Sequence, residues 1–290
     1  MKSGTTKLTH VIPSQYRDSV TAVTSLDNEV FVLRLDSRRR VEVYDASTFT
    51  LQRYITVPGL GDCPYTLRSC GLAACAHNIC LYVSDYTDKS VHRVELSGSN
   101  AVKKWLVGRW PRGLSVNKEH NVVVACLWAR KIREYTSHGA LVREISLEQA
   151  GVRDPWHAVQ LSTGDYVVSE RKSPGAVIVV GIDGHVVRRY CPSPSSDVGK
   201  MISPRNLAVT KNDWILVNDK DKTRILLMNR SLSSVWELVL PVDDGMHRPR
   251  GLCLDESRGR LYVGEYNGSH RVLVFDGVRL CSCNCRRLTV

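Results

Sequence analysis

Arg248-Pro249-Arg250-Gly251-Leu252-Cys253-Leu254-Asp255, then a polar turn, then Arg260-Leu261-Tyr262-Val263-Gly264-Glu265 is the stretch that decides the fold. A proline-containing turn leads into a short apolar strand, and the second strand ends on an acid. Working outward, the same unit recurs at Ser203-Pro204-Arg205-Asn206-Leu207-Ala208-Val209 with Trp214-Ile215-Leu216-Val217-Asn218-Asp219. Further copies begin at Pro111-Arg112-Gly113-Leu114-Ser115-Val116 and Pro155-Trp156-His157-Ala158-Val159. A fifth, Cys70-Gly71-Leu72-Ala73-Ala74, lacks the proline, and Val20-Thr21-Ala22-Val23 is the most worn. The steps from Leu72 to Leu114, Ala158, Leu207 and Leu252 are 42, 44, 49 and 45 residues, the period of four-stranded propeller blades.

The apolar runs are short, rich in Val, Ile, Leu and Tyr, and divided by polar turns, which is strand chemistry. Third strands follow at matching distances, as at Val91 to Val94, Ile132 to Tyr135 and Val272 to Phe275. Fourth strands are more polar, as a blade edge facing water should be. The fold class is therefore all-β, a six-bladed propeller of four-stranded antiparallel blades. Blade six runs out after three strands. The expected donor of its fourth is the N-terminal run Leu8-Thr9-His10-Val11-Ile12, which closes the ring and removes a sheet edge. The expected division is residues 1–18 as closing segment, 19–276 as propeller and 277–290 as a Cys-rich tail.

With 43% hydrophobic residues the chain can fill a packed core, and a net charge of +11 attracts polyanions. No run reaches the roughly 20 apolar residues that a membrane helix needs, so no membrane partner is expected. Met1 to Arg17 lacks an apolar run of signal length, which predicts a cytoplasmic or nuclear protein. In that setting the ten cysteines should be thiols. Cys75, Cys80, Cys126 and Cys253 fall in apolar runs and read as small core residues. Cys281, Cys283 and Cys285 alternate in the tail and read as a frayed end, with soft-metal binding or oxidation to disulfides as alternatives.

These residues resemble NHL repeats, including Arg224-Ile225 and Arg271-Val272, which match the Arg-plus-aliphatic start of the repeat's third strand. The resemblance spans about Ser19 to Asp276. It implies a relation to the propeller part of tripartite-motif ubiquitin ligases, which bind RNA or protein, and to peptidyl-hydroxyglycine lyases and bacterial kinases. The RING and B-box zinc patterns of the ligases are absent from this sequence.

In a propeller, one face collects the loops leading into strand one and those between strands two and three. Here these loops supply Arg112, Arg205, Arg250, Trp128, Arg130, Trp156, His157, Arg171, Lys220 and Tyr266, a list rich in groups that grip phosphates and stack on bases. Arg112, Arg205 and Arg250 occupy equivalent blade positions, so symmetry brings them to one rim. The competing structural reading has aromatics wedging the blades, His157 hydrogen-bonded in the interior, and arginines paired with loop acids, as Asp219 with Arg224 or Glu265 with Arg271. The inner strands offer Ala22, Ala73, Ser115, Val159, Ala208 and Cys253, too poor in oxygen ligands for a hard cation. The sequence therefore predicts a non-catalytic recognition module, with no metal and no cofactor. It would be a monomer that binds a protein partner through the loop-rich face, tied to ubiquitin pathways through its partners. Single-stranded RNA on the basic face and a channel-mouth lyase or lactonase are the alternatives.

Overall fold

The computed structural model describes residues 6–280 except 17, 35–39, 61–70, 99, 173, 191–199, 239 and 279. Six four-stranded antiparallel sheets are arranged as the blades of a propeller. Blades one to five are each built from consecutive strands. Blade six takes its outer strand from the other end of the chain. Lys7–Ile12 runs antiparallel to Val272–Asp276, with Ile12 opposite Val272. The closing strand predicted at Leu8 to Ile12 is therefore present, and Ile12 is buried with Val20, Val272 and Val274 where blades six and one meet.

Second strands such as Val122–Cys126 and Ile215–Asp219 are buried along their whole length. Both of their faces are covered by neighbouring blades, so the sequence reads as a continuous apolar run with no alternation. The outer strand Val186–Arg189 is exposed throughout, as its polar pattern requires. The core thus lies between blades, in clusters that each draw on adjacent sheets.

First strands share an irregularity that bears on the site. Pairing slips between Pro111 and Leu114, Pro155 and His157, Pro204 and Leu207, and Pro249 and Gly251. A bulge re-aims the side chains around it. The residue after each proline is Arg112, Trp156, Arg205 or Arg250. Blades approach closely at this level: a Cβ on Gly113 would lie 2.2 Å from the His157 ring.

Cys75, Cys80 and Cys126 are buried, Cys253 is half-buried, and none of the four is in a disulfide. Burial pushes the Cys126 thiol up to about 12, so it stays protonated and inert. The alternating cysteines 281, 283 and 285 lie outside the described residues. Among the described residues no helix is long and apolar enough to cross a membrane.

Candidate active site at the channel mouth

Of the four bulged positions that follow a proline, three carry arginine and the fourth carries Trp156, and all four converge. The guanidinium carbons of Arg205, Arg112 and Arg250 lie 4.0, 4.9 and 5.2 Å from the Trp156 ring centre. Arg171, from the hairpin of blade four, approaches the same ring at 5.6 Å. Tyr86 and Tyr266 flank the group, under Arg112 at 4.4 Å and Arg250 at 4.5 Å. Lys220 completes the ring, its Nζ 5.5 Å from the Tyr266 ring. The three arginines that blade symmetry assigns to one rim thus lie around a single ring.

These cations are deeply sunk. Arg112, Arg205 and Arg250 are 5%, 8% and 5% exposed, and Trp156 is 5% exposed. Acids nearby are few and partly engaged, the buried Asp154 Oδ1 having no hydrogen-bond partner among the described residues. Asp154 accepts from Arg171 Nε at 2.5 Å, and Asp221 from Lys220 Nζ at 3.2 Å. Burial first, then repulsion from Arg250 and Arg171, pulls Arg205 down to about 9. Burial also takes Arg112 down to about 10, helped by Arg171 and Arg250 and opposed by Tyr86. Both remain cationic at neutral pH. Arg205 Nε and Nη1 and Arg112 Nε are buried and have no hydrogen-bond partner among the described residues. Buried donors left without acceptors are costly. A carboxylate or phosphate meets that need with parallel hydrogen bonds.

His157 belongs to the frame and not to the pocket. Its Nδ1 accepts the Leu207 N–H at 3.0 Å, so Nε2 carries the hydrogen and donates to the Leu114 carbonyl at 2.8 Å. The ring ties blades three, four and five. Burial drops it to about 4, so it is neutral at physiological pH. The acid–arginine pairs read from the sequence are also structural, with Glu265 2.8 Å from Arg271 and Asp219 3.7 Å from Arg224. Trp128 lies further out, 65% exposed. It reaches the cage only through other rings: it meets Trp110 edge-on at 5.8 Å, and Trp110 stacks on Tyr86 at 6.1 Å. Arg130 is exposed on the same outer hairpin.

Three positioning residues were not singled out from the sequence. Ser84 Oγ donates to the Arg112 carbonyl at 2.7 Å, Ser169 Oγ to the Arg205 carbonyl at 2.6 Å, and Asn218 Nδ2 to the Arg250 carbonyl at 2.7 Å. In each case a second strand holds the backbone of the arginine on the next blade. The signal was one polar residue inside an otherwise apolar second strand, in Val83-Ser84-Asp85, Val168-Ser169-Glu170 and Val217-Asn218-Asp219.

Blade two gathers Asp85, Asp88 and His92, with ligand atoms within 4.8 Å of one another. The two carboxylates are partly engaged, while the buried His92 Nδ1 has no hydrogen-bond partner among the described residues. Asp85 Oδ1 accepts from the backbone N–H groups of Thr87 and Asp88, and Lys104 Nζ lies 2.6 Å from Asp88 Oδ2. Ser90 also sits 3.1 Å from His92 Nε2, with Asp85 Oδ2 3.9 Å from that same nitrogen. A proton relay needs the acid on the opposite nitrogen, and all three groups are buried, so this is not a nucleophilic triad.

The six closed blades define the class: a six-bladed β-propeller, with a cluster of buried cations gathered at Trp156. The family model described as NHL repeat matches residues 246–275, the stretch from which the fold was first read. The chain is thus a six-bladed β-propeller in which residues 246–275 match an NHL repeat. No curated protein sequence matches it. Solved structures match over nearly the whole chain. A streptogramin B lyase superposes with a TM-score of 0.66 at 11% identity, covering 92% of this chain and 96% of that one. Virginiamycin B lyase from Staphylococcus aureus gives 0.65 at 12%, covering 92% and 98%. Hydrazine synthase from Kuenenia stuttgartiensis gives 0.62 at 15%, covering 91% and 96%. At such identities the likeness is one of fold.

These matches correct two expectations. The chain was read as a non-catalytic recognition module for a protein partner, and as no enzyme. The solved propellers of this shape include lyases, so the architecture is one that carries chemistry. The sequence reading had demanded a ring of metal ligands from the inner strands. It gave no weight to a cationic cage as chemical equipment. A channel-mouth lyase or lactonase is the alternative drawn from the sequence that agrees with such an architecture.

Proposed function

We propose that this protein is a channel-mouth lyase acting on a carboxylate-bearing substrate. One observation carries the reading: three blade-equivalent guanidiniums converge on Trp156 with buried N–H groups of Arg112 and Arg205 unused. Arginines that grip a carboxylate also stabilise the negative charge that grows on it when the neighbouring carbon loses a proton. Lys220 is the group suited to take that proton. Burial and the charge of Arg205 hold its pKa below the ordinary lysine value, and a lysine so depressed is a better base near neutrality. The C–H electron pair then forms the C=C bond, and the leaving group departs with its own bonding pair and takes up a proton. Tyr86 and Tyr266 stand beside the arginines as hydroxyl donors for that group.

The test is a panel of carboxylates bearing a leaving group on the β-carbon, incubated with the protein and read for the ultraviolet absorbance of a conjugated product. Turnover should fall at least 100-fold in Lys220→Met and in Arg205→Met, losses of the size that follow removal of one base or one charge-stabilising donor. Full turnover in Arg205→Met would overturn the reading.

A further inference from the structure

The arginine cage is one end of a longer feature. From Arg112 outward, rings succeed one another without a break. The Arg112 guanidinium lies over Tyr86 at 4.4 Å, Tyr86 stacks on Trp110 at 6.1 Å and 28°, and Trp110 meets Trp128 edge-on at 5.8 Å and 64°. Exposure rises along the series. Tyr86 is buried at 7%, Trp110 is half-buried, and Trp128 is 65% exposed. The last ring therefore turns most of its surface to solvent, on the face where the cage opens.

The hairpin that carries Trp128 is tied to its neighbouring strand. Leu127, next to Trp128, donates its N–H to the Trp110 carbonyl at 3.2 Å, which ties the blade-three hairpin to the strand leading into it. Lys89 and Arg130 hold the left-handed conformation, with φ of 57° and 50°. Residues other than glycine pay a cost of order 1 kcal/mol there. Lys89 Nζ lies 5.7 Å from the Trp110 ring centre, so a cation accompanies the outer rings as well. An exposed indole beside fixed positive charge suits an electron-rich planar ring that carries negative charge elsewhere in the same molecule. Continuity with the cage supplies the place for that charge.

We infer that Trp128 and Trp110 form an aryl subsite, and that the substrate is an elongated aryl-bearing carboxylate whose anionic end lies on Arg112 and Arg205. The inference rests on the reading of the arginine cage as the carboxylate site. Tyr86 and Trp110 lie between the two ends, so ring and carboxylate must be separated by a flexible spacer. A benzoate, whose ring is joined directly to its carboxylate, cannot reach both.

Calorimetric titration separates the two claims. The probes are ω-phenylalkanoates from phenylacetate to phenyloctanoate, each set against the unsubstituted alkanoate of the same chain length. In the wild type the phenyl group should tighten binding about 3- to 10-fold, the range expected of one aromatic pair. The gain should pass through an optimum as the spacer lengthens. Trp128→Ala lies on the surface and should fold normally. It should remove the phenyl gain at the optimum and leave the alkanoates where they were. A gain that is absent at every spacer length, or that survives in Trp128→Ala, overturns the subsite. Arg112→Lys with Arg205→Lys should weaken both series alike. If it weakens neither, the arginine reading fails, and if the Trp128 effect persists the subsite stands without it. A single-stranded oligouridylate is the remaining arm. Tight binding that falls steeply with salt and depends on Trp128 would overturn the small-molecule occupant in favour of RNA.

Discussion

The hydroxyl of Ser169 on blade four donates to the carbonyl oxygen of Arg205 on blade five at 2.6 Å, and Asn218 repeats the contact one blade later on Arg250. The bulged backbone that aims each guanidinium at the channel is thus held from the neighbouring sheet. Ser169→Ala deletes the donor and leaves a buried carbonyl. Anion affinity should fall several-fold, with a stability loss of about 1–3 kcal/mol. Denaturant titration beside calorimetry with acetate checks both. Unchanged affinity would assign Ser169 to stability alone.

The cage should trade stability for binding. Three buried guanidiniums with few acids repel one another, so Arg205→Met should raise the melting temperature of the ligand-free protein, by roughly 2–4 °C for each kcal/mol relieved. The same variant should lose most of the stabilisation that millimolar citrate or phosphate gives the wild type. Differential scanning fluorimetry over an anion series measures both. A variant that melts lower yet keeps the anion response would show that Arg205 is paired structurally.

His157 makes stability depend on pH. Its folded pKa is lowered to about 4 from an ordinary 6.5, so the unfolded chain takes up the proton first. The contribution is fully present above pH 6.5 and drains away as pH falls to about 4, on the order of 3 kcal/mol in all. His157→Gln should flatten that part of the stability profile. His157→Ala, which strands the Leu207 N–H and the Leu114 carbonyl, should cost about 2–4 kcal/mol at neutral pH. Urea midpoints at successive pH values decide it.

Gly113 should tolerate no side chain. A Cβ there would meet the His157 ring at 2.2 Å and the Trp156 carbonyl at 2.8 Å. Gly113→Ala must push blade four away from blade three and should cost about 1–3 kcal/mol or more. Expression and melting temperature of Gly113→Ala beside the wild type check it, and an unchanged melting temperature would mean that the blades can part there at no cost.

Closure of the ring depends on the N-terminal strand. Removing residues 1–12 exposes the Val272–Asp276 edge and empties the place of Ile12. A loss of a few kcal/mol should lower the melting temperature by about 5–10 °C. An unchanged melting temperature would mean that the pairing adds nothing to stability.

The repeat at Pro111, Pro155, Pro204 and Pro249 determined the blade count, the strand order and the need for a borrowed outer strand at blade six. Each of these follows from local chemistry: turn residues, apolar runs and a period near 45 residues. Pseudo-symmetry even fixed that Arg112, Arg205 and Arg250 share a rim, because equivalent positions in a ring must. Partnership was legible where an acid ends the same blade's second strand, as Glu265 does beside Arg271. Burial was not: nothing in the letters shows that Arg205 is buried with N–H groups that have no partner among the described residues. For His157 the sequence offers a hydrogen-bonded interior role as well as a place on the face, but not its partners, one of them a backbone amide fifty residues away that makes the ring a strut between blades. Sequence spacing specifies contacts within a blade, where partners lie a few residues apart. Contacts across the channel and between blades depend on how far each bulge turns a side chain and on which neighbour is there to meet it, and only the closed ring decides that.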